Sequence, residues 1–218
     1  MTRSLRTWLT AALAVAGLAV GLAFSVPASA QSAPAGNAAR GKTLAYTCLG
    51  CHAAEGYKNV QPMYSVPRLN GQSAAYLVAA LKGYKSSERS HMTMHAHAVS
   101  MTEQDMWDIA TYLAGTTIKT ETVKPTGTPP AAAAVCVACH GNNGVGITAD
   151  YPILTGQHRD YLVHALKEYQ KGGRKNAVMA GFMGLLKPSD IEALAAYYSA
   201  QQPGLSIVTK RTTMMSAR

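Results

Sequence analysis

Two short stretches of this 218-residue chain combine residue types and spacing that could do chemistry: Cys48-Leu49-Gly50-Cys51-His52 and Cys136-Val137-Ala138-Cys139-His140. C-x-x-C-H is the attachment signature of a c-type haem. Two thiols three positions apart can lie on one side of a helical turn and form thioethers with the two vinyl groups of the porphyrin. The adjacent histidine is then held beneath the iron as its proximal ligand. A four-cysteine zinc site normally spaces its C-x-x-C pairs about 15–20 residues apart, whereas these pairs lie 88 apart. A thioredoxin-like dithiol needs a βαβ context, and nothing here alternates strand with helix. The chain has four cysteines, all inside the two motifs. The expectation is two covalently bound c-type haems (haem c, iron), attached through Cys48 and Cys51 and through Cys136 and Cys139, with His52 and His140 on the metals.

The elements that must position these groups occur twice. Pro67-Arg68-Leu69-Asn70-Gly71-Gln72 matches Pro152-Ile153-Leu154-Thr155-Gly156-Gln157 at an offset of 85, and the same offset pairs Tyr76/Tyr161, Tyr84/Tyr169, Arg89/Arg174, Met94/Met179 and Asp105/Asp190. The haem motifs sit 88 apart, so the first copy carries three extra residues between His52 and Pro67. Self-similarity of this kind reads as a duplicated domain. Tyr76, Leu77, Ala80, Leu81 and Tyr84 recur with helical spacing, as do Met106, Ile109, Ala110 and Leu113 in a last helix. That helix opens on a capping-box-like Thr102-Glu103-Gln104-Asp105; its counterpart opens on Lys187-Pro188. The predicted organisation is all-α: a first domain at 31–118, a Pro- and Thr-rich linker at 119–130, a second domain at 131–203, and a flexible tail at 204–218. Each domain is small enough to need a cofactor or other staple.

A second protein ligand on each iron makes an electron-transfer site, whereas an open position permits catalysis. Met94 and Met179 are equivalent in the repeat: they follow His52 and His140 by 42 and 39 residues, which differ by the same three-residue insertion. They are the predicted sixth ligands, in a loop before each last helix, with Met92, Met183 and Met63 as decoys. The alternative that they merely fill the core stays open. So does displacement of Met94 by His95 or His97, or copper binding in the run His91-Met92-Thr93-Met94-His95-Ala96-His97.

Residues 1–30 read as an export signal. Arg3 and Arg6 precede the apolar run Trp8 to Val26, and Ala28-Ser29-Ala30 fits signal peptidase. An uncleaved anchor is the competing reading. Without the leader, 18 basic residues face 11 acidic ones. This positive charge is thinly spread, without the basic stripe and stacking aromatics that nucleic-acid binding requires. It suits steering toward an acidic protein partner.

From about residue 36 to 202 the chain resembles the cytochrome c4 family of dihaem bacterial periplasmic cytochromes. The resemblance rests on both C-x-x-C-H motifs, the two P-x-L-x-G-Q-x-x-x-Y-L segments, and the methionine before a final A-x-Y helix. It implies two tandem class I cytochrome c domains about a pseudo-twofold relation. Cys48, Cys51, His52 and Met94 would serve one haem, and Cys136, Cys139, His140 and Met179 the other. Pro67 and Pro152 would offer carbonyls that orient the proximal histidines. The implied role is non-enzymatic: a periplasmic carrier between a quinol-oxidising or dehydrogenase complex and a terminal oxidase, with association at a membrane surface compatible. The rivals are a cytochrome subunit of a periplasmic dehydrogenase and a dihaem peroxidase. Only Pro129 to Val135 precedes the second motif, so a shortened first helix is expected there.

Overall fold

The computed structural model describes residues 34–208; the predicted leader at 1–30 and tail positions 209–218 lie outside the described residues. The first copy comprises α1 (Ala38–Leu44), α2 (Leu49–His52), a hairpin of β1 (Lys58–Val60) and β2 (Met63–Ser65), α3 (Ala74–Lys85), α4 (Met92–Ala98) and α5 (Glu103–Ala114). The second comprises α6 (Val137–His140), α7 (Arg159–Lys171), α8 (Ala177–Met183) and α9 (Pro188–Ser199). The expected short first helix of this copy is a 3₁₀ segment, Ala131–Val135. None of the described helices is long and apolar enough to cross a membrane.

Each copy builds its core from the faces that the sequence pattern singles out. In the first, Leu77 and Val78 of α3 meet Met106, Ile109, Ala110 and Leu113 of α5. In the second, Leu162 of α7 meets Leu194, Ala195 and Tyr198 of α9. Gly41 lets α1 cross α5 closely, since a β-carbon there would collide with the Asp108 carbonyl. The start of α5 is a true capping box: Thr102 Oγ1 accepts from the Asp105 N–H at 3.1 Å, and the Asp105 carboxylate accepts from the Thr102 N–H at 2.9 Å. These Thr102 bonds, with Arg40, hold the Asp105 carboxyl down to about 2. A carboxylate depressed on folding stabilises the native state above its unfolded value and loses that effect as pH falls through the folded value. Asp105→Ala is therefore expected to melt below the native protein at pH 7, the gap narrowing as pH falls below about 4 and closing near pH 2 as the native carboxylate protonates. Thermal unfolding across that range checks it.

The three extra residues of the first copy lie in the segment that forms the hairpin, the exception to the helical architecture. The hairpin clasps the other copy: the Ser65 N–H and hydroxyl donate to Asp160 at 3.0 and 2.8 Å, and Tyr64 stacks on His164 at 3.9 Å.

The G-Q segments serve the same junction reciprocally. Gln72 bonds the N–H and C=O of Ile153 (2.8 and 3.0 Å), and Gln157 bonds those of Arg68 (2.9 and 3.0 Å). Residue 153 is the repeat equivalent of residue 68, so the two clasps are related by a pseudo-twofold. Two buried glutamines satisfying strand-like backbone groups explain why these positions recur in both copies.

One sequence expectation needs correction. The segment 204–208 of the predicted flexible tail is packed: Asn70 and Ser206 exchange backbone hydrogen bonds at 3.0 Å, and Leu205 and Val208 are buried. The linker is likewise tied down. Asn143 donates to the Thr120 and Val123 carbonyls, Gln201 bonds Thr126, and Val123 packs with Val145, Ile153 and Leu205. A short segment with two or three apolar side chains has no periodicity to read, yet it can still fill a seam between two packed bodies.

Candidate functional site

The two C-x-x-C-H stretches fold as matching helical turns. In α2 the Cys48 carbonyl accepts from the N–H groups of Cys51 (3.2 Å) and His52 (2.9 Å); before α6 the Cys136 carbonyl accepts from Cys139 (3.2 Å) and His140 (2.9 Å). Each turn presents both thiols and the imidazole together, and all four cysteines are free and partly buried. Burial pushes the Cys48 and Cys136 thiols up. A redox-active dithiol needs the opposite shift, so Cys48 and Cys136 lack the character of thiol–disulfide exchange nucleophiles.

His52 Nδ1 lies 3.0 Å from the Pro67 carbonyl and His140 Nδ1 lies 3.3 Å from the Pro152 carbonyl. A carbonyl only accepts, so each ring donates from Nδ1 and keeps the Nε2 lone pair for a metal. Burial lowers the pKa of both imidazoles, which keeps them neutral and ligand-competent.

Both motifs line one apolar cavity of about 940 Å³, together with Met94, Met179, Leu77, Ile109, Leu162 and Tyr198. Met94 and Met179 occupy equivalent places. They sit in short helices rather than the expected loops, because His91 Nδ1 accepts from the Met94 N–H (3.2 Å) and Asn176 Oδ1 from the Met179 N–H (3.0 Å), capping α4 and α8. The decoys separate by burial. Met92 and Met63 are exposed, and Met183 is a fully buried core residue at the place Ala98 takes in the first copy.

The histidine run is largely committed to structure. His91 also donates from Nε2 to Asn59 at 3.2 Å, and His95 Nδ1 donates to the Tyr84 carbonyl at 2.8 Å, while His97 lines the cavity. Among the described residues no group of three or more His, Cys, Asp or Glu side chains could hold a metal ion.

The sequence reading did not single out a pair of cations on the cavity wall, Arg174 buried and Arg89 partly so. The Arg89 and Arg174 backbones pair antiparallel across the pseudo-twofold. Arg89 donates to Tyr76 (3.0 Å) and lies over the Tyr76 and Tyr84 rings; Arg174 donates to Tyr161 (2.9 Å) and lies over Tyr161 and Tyr169. Burial pushes the Tyr84 and Tyr169 phenols up, whereas at Tyr76 burial is outweighed by Arg89 and Arg174, which draw that phenol below its ordinary value. Among the described residues neither guanidinium has a carboxylate partner. Two neighbouring cations, one of them buried, make a place suited to an anion. The signal is in the sequence, since all six residues are matched at the repeat offset, but there it marks only the duplication and the helical spacing of the tyrosines.

This lining fits two haems: paired thiols, a neutral imidazole and a thioether for each, apolar walls for the macrocycles, and cations for a cofactor that carries carboxylates. The comparisons agree. A family model described as cytochrome c matches residues 38–117 and 130–200. The chain is 30% identical to cytochrome c4 of Pseudomonas aeruginosa over 196 residues, 83% of this chain and 96% of that protein. It is 27% identical to the thiosulfate dehydrogenase electron acceptor of Stutzerimonas stutzeri over 172 residues, 71% of this chain and 79% of that protein. Among solved structures, reduced recombinant cytochrome c4 from Pseudomonas stutzeri superposes with a TM-score of 0.59 at 29% identity, covering 79% of this chain and all of that one.

Proposed function

The chain belongs to the cytochrome c4 family of dihaem electron-transfer cytochromes, and on that premise we propose that it is a periplasmic, non-enzymatic carrier with two His/Met haems. It takes electrons from a quinol-oxidising or dehydrogenase complex and delivers them to a terminal oxidase. Haem supplies one-electron cycling between ferrous and ferric iron. The residues do the rest. Cys48 and Cys51, and Cys136 and Cys139, would anchor the two groups. His52 and His140, oriented by the Pro67 and Pro152 carbonyls, would ligate from one side, and Met94 and Met179 from the other. Arg89 and Arg174 would hold the carboxylates.

The observation that carries this reading is the equivalence of Met94 and Met179, each third in a capped helix on the cavity that His52 and His140 line. Two closed coordination shells favour a carrier over a peroxidase, which needs an open or displaceable position. A carrier dedicated to one dehydrogenase is the second reading, favoured by the relative that is named an electron acceptor of thiosulfate dehydrogenase.

Spectroelectrochemical titration tests the ligand set. The native protein is expected to show two low-spin haems, both with the red charge-transfer band of Met-ligated ferric iron. Met94→Ala and Met179→Ala should each remove half of that band and lower one potential by roughly 100 mV or more, within the ~0.8 V range that axial ligands span. A high-spin or bis-histidine haem in the native protein would overturn the symmetric ligand set.

A further inference from the structure

We propose that α8 and its C-terminal flank form the surface on which the protein docks an electron-transfer partner that is apolar at its centre and acidic at its rim. The proposal rests on the carrier reading and adds which end of the molecule engages the partner, and by what chemistry.

Residues 177–186, Ala-Val-Met-Ala-Gly-Phe-Met-Gly-Leu-Leu, contain no polar side chain, yet Ala177, Val178, Ala180, Gly181, Phe182, Gly184 and Leu185 are exposed. A short surface helix normally turns a polar face outward. The counterpart α4 does so, carrying Thr93, His95 and His97 among its seven residues. An exposed helix that is apolar on every side is a contiguous patch of the sort that marks an interaction site.

The patch coincides with the mouth of the second site. Val178 and Phe182 line the cavity from inside while exposed outside, and so do Val135 and Ile147 of neighbouring segments. Nothing lies within 4 Å of where a Gly181 side chain would begin, so a partner can approach this backbone closely. Short separation between redox groups is what a docking surface must provide.

The charge beside the patch is one-sided along the chain. Lys171, Lys175 and Lys187 are exposed around α8, and no acidic residue occurs from Arg174 to Lys187. The acidic residues on the same lining are Asp150 and, from the first copy, Glu88, whose carbonyl accepts from the Lys175 N–H at 2.7 Å. Lysines around an apolar centre select a partner of opposite rim charge and steer its approach. The mouth of the first site instead sets its exposed Tyr57 and Val60 among the polar Lys58, Asn59, Thr93 and His97.

The test uses the ferrous dihaem protein and oxidised plastocyanin, an acidic copper protein, as the probe, followed by stopped-flow. The neutral oxidant 1,4-benzoquinone reads electron release without docking. Leu185→Asp and Lys175→Glu are each expected to slow oxidation by plastocyanin about tenfold at low salt, within the range attributable to steering, while oxidation by benzoquinone stays native. Val60→Asp, at the first mouth, should remain native with both. The native rate with plastocyanin should fall as salt is added.

Equal rates for Leu185→Asp and the native protein, or equal slowing by Val60→Asp, would overturn the proposal, as would a rate indifferent to salt. Binding of the native protein but not Leu185→Asp to phosphatidylglycerol vesicles, without a change in the plastocyanin rate, would make the face a membrane contact. Concentration-dependent dimerisation lost in Leu185→Asp, again with native plastocyanin kinetics, would make it a self-association surface. Both results overturn it. Failure of the native protein to reduce benzoquinone would instead count against the carrier reading.

Discussion

Replacing Cys136 and Cys139 together by alanine is expected to leave one covalent haem per chain instead of two, read as a halving of pyridine haemochrome absorbance per polypeptide. The consequence for folding is as large. The second core consists of a few side chains around Ala133, Leu162, Leu194, Ala195, Tyr197 and Tyr198. A unit of about 70 residues rarely stabilises itself without a disulfide, metal or cofactor. Val178, Met179, Phe182 and Tyr198 all face a cavity that the cofactor fills. Without it, α7, α8 and α9 lose their packing centre, and far-UV helicity should fall by roughly 40% while the first copy, with its own core, persists. Native helicity together with two retained haems would sink the claim that the thioethers hold this half together. The matching Cys48→Ala/Cys51→Ala protein should lose the other haem, with helicity carried by α1, α3 and α5.

The second large effect is on the potentials. Arg174→Met should lower the midpoint of at least one haem by roughly 70 mV, taking a unit charge ~10 Å away at an effective dielectric near 20 and about 2.3 kcal/mol per 100 mV. The sign follows from charge. Ferrous haem is one unit less positive than ferric, so a nearby cation favours reduction and its removal favours oxidation. Arg174 is buried, stacked on Tyr161 and Tyr169, and paired across the pseudo-twofold with Arg89. Its loss should therefore also destabilise the protein, because the Tyr161 hydroxyl loses its donor and two ring faces lose a stacked, desolvated cation, an interaction of about 2 kcal/mol. Arg174→Lys separates the two contributions. It keeps the charge, and so most of the potential, while losing the planar fork that stacks on two rings and donates to Tyr161. Potentials that stay native in Arg174→Met while stability drops would make the arginine pair a structural clasp alone.

The chemistry of this protein was legible in its sequence because it is local. Two thiols and an imidazole within five residues define their own turn, and Met94 and Met179, the proposed sixth ligands, are singled out by a spacing that survives the same three-residue insertion. The faces of α3, α5, α7 and α9 were legible because a helix repeats its neighbours every three or four positions. What joins the copies was not. Gln72 and Gln157 recur in the sequence, but that each satisfies the backbone of the opposite copy follows only once the copies are set face to face. Arg89 and Arg174 are 85 residues apart and become a pair only across that pseudo-twofold. Leu205 and Val208 have no pattern to announce burial, yet Leu205 enters the seam beside Ile118 and Ile153 and Val208 joins the first copy's core. The sequence by itself determined the cofactor class, its anchors and the duplicated helical frame, because short covalent spacings and helical periods encode them. The tertiary structure decided the junction, the paired cations and the exposed face of α8, because these depend on which surfaces remain covered or open after two similar bodies have packed.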